Sequence, residues 1–140
     1  VVVSIETISW SNDPVITLKT DSRSYWMVSF EHLHDVTVEV GDLVEVGQVL
    51  GTPSQVGYEG TGFGFTELAV WTGGATVADI EKVCPFSTLE EGLKPDYAQK
   101  INQFATDWES YIGTDVYAQN EWVLPGCLLE QMKENEAMNP

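Results

Sequence analysis

Basic residues are scarce in this chain. Six lysines and arginines stand against 22 aspartates and glutamates, a formal net charge of −16 over 140 residues. A surface this acidic repels nucleic-acid phosphates and anionic membranes, so neither is expected as a partner. The plain account of the charge is solubility or a salty environment. No apolar run is long enough to cross a bilayer as a helix, so no membrane insertion is expected. Internal repeats and low-complexity tracts are missing, and so is a phosphate-cradling loop. Gly60-Thr61-Gly62-Phe63-Gly64 lacks the lysine and the strand-to-helix setting such loops need. Cysteine is limited to Cys84 and Cys127, without metal-type spacing. The simplest expectation is one disulfide, worth roughly 4 kcal/mol in the chain-entropy model. That bond would place the protein in an extracellular or periplasmic setting. Two buried free thiols in a cytosolic protein are the alternative.

What is present is enough apolar material to fold. Hydrophobic residues make up 43% and aromatics 11%, which excludes disorder as the main state. The length suits one domain, or a small domain with an extension. Val1-Val2-Val3 reads as strand interior, so a mature or truncated piece is expected. Residues 1–10, Val15 to Lys19 and Tyr25 to Leu33 read as three strands separated by the turns Ser11-Asn12-Asp13-Pro14 and Asp21-Ser22-Arg23-Ser24. Val36, Val38 and Val40 alternate with Thr37 and Glu39, the pattern of a half-buried strand. Glycines 41, 47 and 51 then mark places where the backbone takes a positive φ or approaches a neighbour closely. A polar, glycine-rich loop runs from Pro53 to Thr61, and Phe63 to Trp71 closes the sheet.

The composition changes at Thr72-Gly73-Gly74-Ala75, the clearest linker. Val77 to Val83 reads as a short strand or helical turn, and Ser87 as the cap of a brief helix over 87–91. Lys94-Pro95-Asp96 is a helix start. Tyr97, Ile101, Phe104, Trp108 and Tyr111 then form an apolar stripe up to Gly113, expected to pack in the core. From about residue 130 the tail is polar and expected to be disordered.

Three ordered segments resemble a known family. Phe30-Glu31-His32-Leu33 is followed by Val40-Gly41-Asp42-Leu43-Val44-Glu45-Val46-Gly47-Gln48-Val49-Leu50-Gly51 and then by Gly60-Thr61-Gly62. Together they look like the core of the LytM/lysostaphin-type zinc metallopeptidases, the duplicated hybrid motif fold, over residues 1–72. Biotinyl and lipoyl domains share the Gly-Gln segment, but no lysine lies between Lys19 and Lys82 to be modified. Where the family has His-x-His, this chain reads Gly64-Phe65-Thr66-Glu67-Leu68-Ala69-Val70. The family's upstream His-x-x-x-Asp pair is not found either. A catalytic zinc needs about three protein ligands and an open water position. Only His32 matches an active-site position, that of the family's accessory histidine. The resemblance therefore implies the fold and argues against the activity.

His32-Leu33-His34-Asp35 would put two imidazoles on one face of a strand, with Glu67 as a third donor if the closing strand lies alongside. The plainer reading is that His32, His34 and Glu67 are polar residues lining a relict groove, with no metal or cofactor. The expectation is mainly β: an antiparallel LytM-like sheet over 1–72 and a disulfide-tied α-helical extension over 73–140 packed on it. The expected function is non-catalytic binding of cell-wall peptide, glycan or a protein partner. Two alternatives stay open: an active zinc metalloendopeptidase with ligands outside this chain, and a structural surface or assembly protein.

Overall fold

The computed structural model describes residues 1–21, 23–57, 59–73 and 81–127. The tail expected to be disordered and the second half of the linker, Gly74-Ala75, lie outside the described residues. The chain divides into two compact units, Val1–Val83 and Cys84–Pro140; each is taken by itself.

The first unit is an antiparallel sheet. Strands β1 (Val2–Thr7), β2 (Pro14–Leu18), β3 (Trp26–Glu31), β6 (Glu67–Thr72) and β7 (Glu81–Val83) pair in the order β1-β2-β3-β6-β7. The short strands β4 (Leu33–His34) and β5 (Thr52–Pro53) form a two-stranded ladder beside it. β7 extends the sheet through Val70↔Val83, with the Lys82 ammonium over the Trp71 ring. The first unit therefore runs past the Thr72 boundary read from the linker.

One sheet face carries Ile16, Leu18 and Phe30. They pack with Val2, Leu33 and Val38 in a core completed by Ile5, Val36, Val44 and Leu50. Removing each fully buried member of such a cluster from water stabilises the fold by roughly 1.5–3 kcal/mol. The valines at 36 and 38 thus face inward as the alternation implies, but residues 36–50 form no strand. Their backbone meets β1 only at Val2, whose N–H donates to Asp42 O and whose carbonyl accepts from Gly41 N. Without a neighbour to continue the ladder, the segment stays an apolar flap on the core. Its turns are as expected, with Gly41 at φ 100° and Gly47 at φ 85°. At Gly51 a Cβ would meet His34 O at 2.7 Å, so close approach is the reason for glycine there.

In the second unit Cys84 and Cys127 are joined, as expected, across 43 residues. They are buried with Phe86, and Leu89, Ala98, Ile101 and Leu124 pack around them. Helix α1 (Lys94–Ile112) has Pro95 in its first turn and ends at Gly113, whose φ of 70° makes the left-handed stop. The packed face keeps Ile101 of the expected stripe but not its rings at 104 and 111. Phe104 and Tyr111 are exposed, whereas Ala105 is buried and Ala98 and Ile101 touch the disulfide cluster. Small side chains let the helix approach the bond; bulky rings would hold it off. Ser87 is not a cap: the local helix is a 3-10 turn over Pro85–Thr88, and the Ser87 hydroxyl donates to Cys84 O. No described helix is long and apolar enough to cross a membrane.

Candidate functional site

Strand β3 stops because His32 leaves the extended region, at φ 58°. A non-glycine residue in this conformation is held there by its surroundings. The hold here is visible. His32 O accepts from Ser54 N at 2.8 Å, and Thr66 Oγ1 donates to the neighbouring Glu31 O at 2.7 Å. The ring is 4% exposed, with Trp10 and Phe65 against it at centroid distances of 5.1 and 4.2 Å. Its Nδ1 lies 3.1 Å from Asp13 Oδ2.

Asp13 is brought to this place by the turn between β1 and β2, where Asn12 takes a φ of 62° and Ile8 N donates to Asp13 O. The carboxylate is 1% exposed. Burial alone would push its pKa up. The hydrogen bond from His32 does most to reverse this, helped by the Ser54 and Ser11 hydroxyls and the His34 charge, and the carboxyl ends below its ordinary value of 3.8. Oδ1 itself is buried, with no hydrogen-bond partner among the described residues. An ionised carboxylate only accepts, so the Nδ1–H of His32 is the donor to Asp13, and Nε2 is turned toward Glu67.

His34 follows one residue after the ladder member Leu33, and its side chain is 48% exposed. Its Nε2 lies 3.6 Å from Asp13 Oδ1 and 3.5 Å from Ser54 Oγ. The two histidines therefore do not converge on one ion. They flank one carboxylate from different sides, because the left-handed residue at 32 breaks the alternation that would align them. Glu67 does reach His32: its Oε2 is 3.6 Å from Nε2, and its side chain is 68% exposed. Glu31, which the sequence did not single out, is its register partner.

Beside this cluster lies a cleft of about 580 Å³, lined by His34, Asp35, Thr52, Gln55 and Phe63, with the backbone of Gly62 and Gly64 at its edge. Gly64 is needed for close approach. A Cβ there would sit 2.5 Å from Ser54 O, next to the bridge that pairs Ser54 with Phe65.

The His-x-x-x-Asp and His-x-His ligands that the resemblance implies for a catalytic zinc are not found together here. Among the described residues, the candidate donor set is Glu31, His32 and Glu67, one imidazole and two carboxylates. The stretch Gly64–Val70, read from the sequence against His-x-His, holds no histidine, and its Phe65 packs on the His32 imidazole. No catalytic step is derived through such a centre.

Asp13, Glu31 and Ser54 are site residues that the sequence did not reveal. Ser11-Asn12-Asp13-Pro14 has ordinary turn chemistry, and nothing local marks a buried serine at 54. No family model matches the chain, and neither a curated protein nor a solved structure matches it.

Proposed function

We propose that the first unit is a non-catalytic binding module of an extracellular or periplasmic protein, derived from a LytM-type peptidase framework. Its cleft takes a short segment of cell-wall peptide or glycan, or an extended segment of a protein partner. The observation that carries this reading is the lining of the cleft. Asp35, Thr52, Gln55 and His34 offer both donors and acceptors, and Phe63 offers an apolar face. A few convergent polar groups around an aromatic surface suit amide or sugar ligands. The His32 imidazole is closed in by Trp10, Phe65 and Asp13 instead of facing such a ligand. The disulfide supports the compartment.

Titration of the full chain with soluble wall peptides and, separately, wall glycans, followed by amide chemical shifts, tests the reading. Saturable shifts confined to residues 34–35, 52–57 and 61–64, lost in Gln55→Ala, are the expected result, with no cleavage of either fragment. Cleavage, or fragments and unstructured peptides that leave these amides unmoved, would sink it.

A further inference from the structure

Glu31 and Glu67 stand directly opposite each other on β3 and β6. Both side chains leave the same face of the sheet, and like charges in this arrangement destabilise it. Among the described residues neither pairs with a lysine or arginine, and the sequence has no lysine or arginine between Arg23 and Lys82. Next to them is His32, nine-tenths and more buried. Its Nδ1 is engaged by Asp13, and its Nε2, without a hydrogen-bond partner among the described residues, lies 3.6 Å from Glu67 Oε2.

We propose that Glu31, His32 and Glu67 bind a divalent transition-metal cation. One donor atom of each falls within 4.8 Å of the others. An ion held at about 2.0–2.2 Å by nitrogen and oxygen needs donors about 3–3.5 Å apart. A rotation of the exposed Glu67 side chain supplies that contraction. Asp13 plays the supporting role such sites require: a carboxylate on Nδ1 fixes the tautomer, aims Nε2 and raises its basicity. The imidazole favours zinc, or another of the later first-row transition metals, over calcium, which takes oxygen ligands. This donor set is not that of the LytM-type peptidases, whose zinc is built on His-x-x-x-Asp and His-x-His. It also shares no residue with the cleft, so the experiment stands or falls independently of the cleft reading.

The test is calorimetric titration of zinc chloride into the full chain at neutral pH, with the His32 ring protons followed by NMR. One equivalent is expected to bind, moving the His32 resonances. Glu67→Gln, at an exposed position, weakens it about tenfold or more, as does Glu31→Gln, and Glu59→Gln leaves it unchanged. Three outcomes would overturn the proposal: no saturable binding, binding that survives the Glu31→Gln/Glu67→Gln pair, or calcium binding as tightly as zinc.

Discussion

Glu109 shows how one side chain can hold a loop to a helix. Its Oε1 accepts from Tyr117 N at 2.7 Å and Val116 N at 3.0 Å, and its Oε2 accepts from the Gln119 amide. The Tyr117 N–H foremost, then Gln119 and Val116, bring its pKa below the ordinary 4.5. The lowered folded-state value fixes the sign. The contribution is complete above the ordinary value and disappears as pH falls through the lowered one. Glu109→Gln is therefore expected to be less stable than the parent at neutral pH. The gap should narrow progressively as pH falls below the ordinary carboxylate value of 4.5, read by urea unfolding with tryptophan fluorescence. Asp13 is the harder case for a sequence reader. An aspartate before proline reads as turn chemistry whether or not its carboxylate reaches a histidine, and no local pattern separates the two.

At the scale of elements, local periodicity was informative about direction and less so about partners. Val36 and Val38 face the core as alternation implies, yet they form no strand because no neighbouring chain continues a ladder beside them. The helix from Lys94 ends at Gly113 as its stop signal implies. Its packed face was read in part: Ile101 of the stripe packs on the disulfide cluster beside Ala98, and Ala105 is buried, while Phe104 and Tyr111 of the same stripe stay exposed. The bridge between Ser54 and Phe65 depends on a missing side chain. Gly64→Ala would drive a methyl group to 2.5 Å from Ser54 O and 3.0 Å from Pro53 O, costing about 1–3 kcal/mol by overpacking. Gly92→Ala meets nothing within 4 Å and serves as control, with a change inside about 0.5 kcal/mol. Denaturant midpoints of the two variants check the contrast.

At the scale of the whole molecule, two units rest on different supports. The first has a core of valine, isoleucine, leucine and phenylalanine under a sheet. The second gathers its few buried residues around Cys84–Cys127. Closing 43 residues is worth about 4 kcal/mol in the chain-entropy model, which is comparable to what so small a core supplies. Reduction is therefore expected to unfold the 84–127 unit while leaving the sheet intact. Hydrogen exchange with and without reductant would show protection lost over α1 and kept in β1 to β3.

The sequence by itself determined what depends on near neighbours: β-rich segments, glycine turns at 41 and 47, the helix and its stop, and two cysteines suited to one bond. Only the tertiary structure decided which distant residues meet. Asp13 comes under His32 through the β1–β2 turn, and Glu31 faces Glu67 through the β3–β6 register. The reason is that turn and helix preferences are settled within a few residues. Pairing across a sheet is settled by where the buried side chains of the whole unit find room, and that sets the chemistry of the site.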